Sequence, residues 1–336
     1  MTRPVGIREV AAAVGMSVGT VSNVLNRPES VATDTVARVQ QAMDELGFVR
    51  NDLARQLKLG TGTTLGMIVM DVANPFFGDL AHACEAAADA LGHTVILGSS
   101  DQLAAREDHY IDVFEAQRVR GMLIVSTNGP TPRIERLVRR GMPVVLFDRR
   151  GAGSPLCSVA LDGVAGGRMA AGHVIGTGRR RLVFLGGPLH QVEDRWAGAK
   201  IAVEDSPGVS LRHIDTPDQT IISGRHIGEM IAAMPRRERP DAIFAANDLL
   251  ALGVLQALVL AEGIEIPRDI AVVGYDDIDY AASAIIPLSS VRQPHELLAR
   301  AAVRLVLDDA TDPAEHVHEH VLLPPRLIVR RSSAGT

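Results

Sequence analysis

The chain has 336 residues, 34 of them lysine or arginine and 40 aspartate or glutamate, which gives a formal charge of −6 with histidine neutral. This length predicts two or three domains, and 46% apolar with 22% charged residues excludes a disordered or fibrous chain. No run approaches the ~18 apolar residues of a membrane span, the opening MTRPVGIREV lacks the apolar centre of a secretion signal, and two cysteines are too few for a disulfide framework, so a cytoplasmic protein with reduced, structural Cys84 and Cys157 is expected.

Ile7, Val10, Ala11 and Val14 recur at the spacing of one buried helical face, closed by Gly15. Ser17 can cap a second helix whose Val21, Val24 and Leu25 face inward. Helix, tight glycine turn and helix is the helix-turn-helix outline. After the polar loop Asn26-Arg27-Pro28-Glu29-Ser30, Thr33 can cap a third helix with Val36, Val39, Met43 and Leu46 as its stripe, ended by Gly47. A small helical appendage with no DNA role has the same periodicity, so the pattern alone leaves both readings open.

The residues carry more. The string from Ile7 to Leu57 resembles the headpiece of the lactose-repressor/galactose-repressor (LacI/GalR) family of bacterial transcription regulators, through Val10-Ala11, Gly15, Ser17, Thr20-Val21-Ser22, Leu25-Asn26, Val31, Leu46-Gly47-Phe48 and Leu53-Ala54-Arg55-Gln56-Leu57. The resemblance implies that the second helix enters the major groove, with Val18, Gly19 and Asn23 at the specificity positions. Asn23 can pair with a base edge and Val18 can touch a thymine methyl, whereas Gly19 offers no side chain. Ser17, Thr20, Ser22 and Asn26 complete the DNA-facing set, the hydroxyls as phosphate contacts. Residues 51–59 match the family's hinge helix, which implies Leu57 as a minor-groove wedge, Ala54 against the partner hinge and Arg55 near the backbone. A nine-residue helix is too short to be stable alone.

Residues 1–60 hold seven basic and six acidic groups, and the rest of the chain carries −7. The break falls at Gly60-Thr61-Gly62-Thr63-Thr64, so the net acidity belongs to the body and does not oppose a DNA partner. Beyond it, short apolar runs alternate with helical stretches. Strands are expected at 65–70, 94–97, 122–125, 144–147, 182–185, 242–244 and 271–273; helices at 77–91, 103–118, 134–140, 163–175, 195–203, 223–234 and 249–261. This alternation predicts two doubly wound parallel α/β sheets in tandem. Ligands of such sheets sit at the carboxyl ends of the strands, here marked by Asp71, Asn74, Phe76 and Phe77, by Ser99 and Asp101, by Asp148 and Arg149, by Asn247 and Asp248, and by Asp276 and Asp277. Carboxylates, amides and a guanidinium beside aromatic faces suit a polyhydroxylated ligand. Each aspartate taken singly reads better as a helix cap, and it is the five polar strand ends together that shift the reading towards a site.

The resemblance continues through DVANPFF, EDRWAGA, AANDLLALG, VVGYDDI and PLSSVRQP. It implies the family's effector core, similar to periplasmic sugar-binding proteins. Arg195, Asn247 and Asp276 would be the polar grip, with Phe76, Phe147, Asp148 and Trp196 lining the pocket. The domains expected are a DNA-binding headpiece at 1–50, a hinge and linker at 51–63, an N-terminal lobe at 64–162 plus about 290–318, and a C-terminal lobe at 163–289 plus about 319–331. Gly163 stands where relatives have Asn. The stretch 202–220 is about ten residues short for the family, which suggests a truncated helix. The tail PRLIVRRSSAGT has no heptads, so a homodimer is expected and a coiled-coil tetramer is not.

No dinucleotide, phosphate-loop, serine-hydrolase or zinc-protease motif occurs, so neither catalysis nor a cofactor is expected. His316, His318 and His320 alternate at strand spacing; lacking a nearby cysteine in sequence, they read as a solvated edge and not a metal site. The sequence thus predicts a cytoplasmic repressor that binds double-stranded operator DNA under control of a small-molecule effector of the sugar class. A sugar-binding protein without DNA function is the alternative.

Overall fold

The computed structural model describes residues 5–48, 62–147 and 155–334, and the chain divides into two units after Gly62. The first unit is helical: α1 (Ile7–Val14), α2 (Val18–Asn26), a 3-10 turn (Pro28–Ser30) and α3 (Thr33–Leu46). Val10, Ala11, Val21, Val24 and Val39 are its buried centre. Gly15 takes φ +65° at the end of α1, a left-handed conformation that costs glycine nothing and turns the chain into α2 within two residues. Two details depart from expectation. Thr33 lies inside α3 while Ala32, which has no capping side chain, holds the cap position, because the chain arrives extended from the 3-10 turn at Val31. Leu46 is exposed and Ala42 takes its place in the buried stripe.

The second unit holds two six-stranded sheets. In the first, β1 (Thr64–Val69), β2 (Thr94–Ser99), β3 (Gly121–Val125), β4 (Val144–Phe147), β5 (Cys157–Leu161) and β11 (His320–Leu323) lie in the order β11-β5-β4-β3-β1-β2. In the second, β6 (Arg181–Leu185), β7 (Ser210–Ile214), β8 (Ala242–Ala245), β9 (Ala271–Asp276), β10 (Ser289–Arg292) and β12 (Arg326–Ile328) lie in the order β12-β10-β9-β8-β6-β7. Pairing is parallel except that β12 runs antiparallel on β10, so the second sheet is not wholly parallel as expected. The helices are α4 (Pro75–Asp89), α5 (Ala104–Ala116), α6 (Pro132–Arg139), α7 (Gly163–Gly176), α8 (Leu189–Glu204), α9 (Ile221–Ala233), α10 (Asp248–Leu260), α11 (Asp279–Ser283) and α12 (His295–Thr311). The fully buried strands are near-continuous apolar runs, as helix-covered parallel sheets require. No helix among the described residues is long and apolar enough to cross a membrane.

The chain passes between the two sheets at residue 162, at 293–294 and at 324–325, since β10 belongs to the second sheet and β11 to the first. The lobe boundaries expected near 290 and 319 therefore shift. Strand pairing explains this: Ser289 to Arg292 align with Val273 to Asp276, and His320 to Leu323 with Ser158 to Leu161. The stretch 202–220 carries the end of α8, then β7, and leads into α9, with helices of 16 and 13 residues on either side of the strand. The polar-looking tail is also integral. Ser332 is fully buried, accepting from Ser289 N (2.8 Å) and donating to the Val272 carbonyl (2.6 Å).

Candidate functional site

On the helical unit, Ser17 caps α2, its Oγ accepting from Thr20 N at 3.0 Å and sharing a 2.9 Å hydrogen bond with Thr20 Oγ1. This cap orders the first turn of the helix. Val18, Gly19 and Asn23 are exposed on α2 beside half-buried Thr20 and Ser22. A Cβ on Gly19 would meet nothing nearer than Ser17 Oγ at 3.5 Å, so packing does not require the glycine. Asn26 is engaged locally, donating to the Ser22 carbonyl at 2.8 Å. The hinge residues Ala54, Arg55 and Leu57 lie outside the described residues, as does Asp148.

In the second unit the C-terminal ends of both sheets face an open cleft of about 530 Å³, its solvent-filled mouth included. It opens into a wider space of about 970 Å³ lined partly by the same residues, Met70, Gln191 and Arg195. Asp71, Asn74 and Phe76 come from the loop and first turn after β1, Asn247 from the start of α10, Asp276 from the end of β9 and Arg195 from α8; all line the smaller cavity. Asn74 caps α4, its Oδ1 accepting from Phe76 N at 3.1 Å. Asn247 caps α10 by accepting from Leu250 N (2.9 Å) and donates to the Gln219 carbonyl (3.0 Å). The guanidinium of Arg195 sits 4.0 Å over the ring of buried Tyr275 and donates to the Ala246 carbonyl. A stacked and hydrogen-bonded guanidinium is pre-oriented for a bidentate partner.

Three expected lining residues do not line either space. Ser99 spends its hydroxyl on Asp101 Oδ1 (2.8 Å) and accepts from Val72 N. Phe147 is core, 1% exposed, and with Phe76 and Leu80 borders a small apolar gap away from the cleft. Trp196 turns to the core of the second sheet, 5.5 Å from Phe184 and 5.3 Å from His213, since one residue beyond Arg195 on a helix is about 100° around the axis.

The loop after β9 is clamped. Asp276 and Asp277 have φ +105° and +58°, strained for any residue with a Cβ. Buried Asp248 accepts from Ile278 N (2.9 Å) and from Ser290 Oγ (2.6 Å). Asp277 pairs with Arg292 and Arg330, both at 2.6 Å, and so anchors the loop away from the cleft. Asp276 accepts from Gln293 Nε2 at 2.7 Å. Burial holds the Asp248 carboxyl well above the usual carboxylate range, reinforced by the charge of Asp276. Glu107, under the wider space, is also raised by burial against its bonds to Thr127 N (2.9 Å) and Ser126 Oγ (3.2 Å).

Gln102, Gln191, Gln219 and Gln293, which sequence reasoning missed, complete the lining. With Asn74 and Asn247 they make six amides, each able to donate and accept. Gly163 lines the wider space, and a Cβ there would lie 2.8 Å from Asp194 Cβ, so Asp194 fills the room that a side chain at 163 would take.

His316, His318 and His320 are not a uniform solvated edge. His320 bonds Ser158 Oγ at 3.0 Å, whereas His316 and His318 approach the buried thiol of Cys157.

Comparison with known proteins gives one picture. Residues 6–51 match the family described as bacterial regulatory proteins, lacI family, and residues 171–333 match the periplasmic binding protein-like domain. The ribose operon repressor of Bacillus subtilis is 34% identical over 304 residues, 90% of each chain. The HTH-type transcriptional repressor PurR of Photobacterium profundum is 30% identical over 332 residues, 97% of this chain and 98% of that one. Among solved structures, the Lac repressor dimer bound to operator and an anti-inducer superposes with a TM-score of 0.87 at 26% identity, covering 99% of this chain and 100% of that one. The CelR–cellobiose complex gives a TM-score of 0.70 at 30% identity, covering 98% and 100%.

Proposed function

The chain belongs to the lacI family of bacterial regulatory proteins, and on that premise we propose that it is a cytoplasmic repressor whose hold on operator DNA is set by a sugar or related polyol bound between its two lobes. It is a regulator and not an enzyme, as its relatives are transcriptional repressors. Two copies bind a pseudo-palindromic operator. Each places α2 in the major groove, Asn23 and Val18 reading bases while Ser17, Thr20, Ser22 and Asn26 position the helix on phosphates. Leu57 wedges into a minor-groove step between paired hinges, with Ala54 on the partner hinge and Arg55 at the backbone. The edge strand β2 and the turn before it expose Leu91, Ile96 and Leu97, an apolar strip that favours pairing of two copies.

The observation that carries the ligand class is the six amides around Arg195 and Asp276. Hydroxyl-rich ligands need donors and acceptors together, and Phe76 and Phe77, edge-to-face at 5.3 Å, offer a sugar its apolar C–H contact. A flat purine would call for a second stacking face, and Trp196 is turned away from that role. Asp71, Asn74, Asn247, Asp276 and Arg195 hold the ligand from both lobes. Closure on it rotates one lobe against the other and changes the spacing of the two hinges, so two sites share two global states. The alternative of a sugar-binding protein without DNA function leaves the helix-turn-helix unit without a purpose.

Gel-shift titration of the full-length protein on the DNA upstream of its own gene tests this. A specific shift that is altered by ribose, cellobiose or another sugar, and not by purine bases, is expected. A purine response would replace the ligand class, and no specific shift under any condition would overturn the regulator reading.

A further inference from the structure

Cys157, His316 and His318 lie far apart in sequence and together in space. Cys157 opens β5 and is buried at 1% exposure. His316 and His318 lie on the segment that returns from α12 to the edge strand β11, half-buried and exposed respectively. The thiol Sγ is 3.1 Å from His316 Nε2 and 3.7 Å from His318 Nδ1, and the three donor atoms lie within 4.8 Å of one another. A zinc ion with Zn–S near 2.3 Å and Zn–N near 2.0–2.1 Å at tetrahedral angles separates sulfur and nitrogen by about 3.5 Å, so both distances fall within a few tenths of an ångström of what one ion demands.

We propose that Cys157, His316 and His318 form a three-ligand site for Zn²⁺ or a similar borderline-soft first-row cation, its fourth position open to water. One thiolate and two imidazoles select such ions over Mg²⁺ or Ca²⁺, which take oxygen ligands. Beside the site, Glu319 is fixed by Arg304 at 3.0 Å. The backbone N–H of Glu319 points at Sγ at 3.4 Å, a bond that strengthens once the sulfur is a thiolate. Although the three histidines alternate, His320 has its own partner in Ser158 and is not a ligand. The site is remote from the ligand cleft. It sits at the N-terminal ends of the first sheet's parallel strands, opposite their cleft-facing ends, and a bound ion would clip the segment 312–319 onto β5.

The test is titration of metal-stripped full-length protein with Co²⁺, followed by displacement with Zn²⁺. One equivalent per chain with a thiolate-to-cobalt charge-transfer band is expected. Cys157→Ser should abolish the band. His316→Ala and His318→Ala should each weaken binding by at least about a hundredfold, since loss of a supporting outer contact alone costs 10–100-fold. His320→Ala should bind as the parent does. The two ligand histidines are not core residues, so these variants keep the test valid should Cys157→Ser fail to fold. Absence of the band in the folded parent protein, or parental affinity in either ligand-histidine variant with circular dichroism unchanged, overturns the site.

Discussion

Asp248 is the residue on which the cleft loop depends, and its protonation follows from its place. Fully buried, hydrogen-bonded to Ser290 and Ile278 N, and beside the Asp276 charge, it favours the neutral acid. A carboxyl whose folded pKa is raised contributes stability that is complete below its unfolded value near 3.8 and lost as pH rises through the folded value. In that window the parent loses up to about 1.4 kcal/mol per pH unit. Asp248→Asn copies the neutral acid and removes the titration. Urea denaturation from pH 5 to 9 should show the variant gaining stability relative to the parent as pH rises; parallel curves would contradict an uncharged Asp248. Gly19 is the opposite kind of residue, set by what lies outside the protein. With only an ordinary contact to Ser17 Oγ at 3.5 Å in its way, Gly19→Ala should raise headpiece stability by up to about 0.5–1 kcal/mol while changing operator preference in a binding-site selection. Loss of stability would mean that the fold itself needs the glycine.

At the scale of elements, two helices cross almost backbone on backbone to aim Arg195. A Cβ on Gly167 of α7 would lie 2.0 Å from the Arg195 carbonyl, and one on Gly198 of α8 would lie 2.0 Å from the Val164 carbonyl. Gly167→Ala must therefore separate α7 from α8, at about 1–3 kcal/mol of overpacking, and should weaken effector binding at least tenfold by calorimetry. Gly172→Ala, on the same helix with nothing within 4 Å, should be neutral or stabilising; equal damage from both would locate the effect in the helix and not in the crossing. This crossing was not legible in the sequence, where helix-interior glycines read only as weak propensity. The apolar runs of β1, β3, β4, β6 and β8 were legible because burial on both faces forces them. β7 and β10 were not, since SLRHI is a half-exposed edge and SSVR buries Ser289, which bonds to the tail, and Ser290, which donates to Asp248. Without those two strands in view, the cleft residues just beyond their C-terminal ends, Gln219 and Gln293, had no strand end to mark them. Arg195, Asn247 and Asp276 were legible through the motifs around them. Trp196, also inside such a motif, faces the core because neighbours on a helix point in different directions.

For the whole molecule, among the described residues the chain crosses between the two sheets of the body at 162, 293–294 and 324–325, and Gln293 occupies one of these crossings. Its side chain is 2% exposed, donates to Asp276 at 2.7 Å and lines the cavity. It therefore ties the crossing to a carboxylate that lines the cleft. Removing it in Gln293→Ala leaves a buried carboxylate short of a donor, which costs about 1–3 kcal/mol and releases Asp276 from the position this bond gives it. Arg195→Ala, by contrast, removes a proposed ligand contact without touching a crossing. A ligand at 100 times its dissociation constant stabilises a protein by about 2.7 kcal/mol. At the sugar concentration giving that shift in the parent, Arg195→Ala should show little stabilisation yet bind operator normally without sugar. Gln293→Ala should lose both sugar-dependent stabilisation and part of the sugar-free stability, and its operator binding should respond weakly at any sugar concentration. Should Gln293→Ala regain the full operator response once sugar is raised to saturation, Gln293 would be a ligand contact only, and the coupling between cleft and DNA would have to run through the other two crossings.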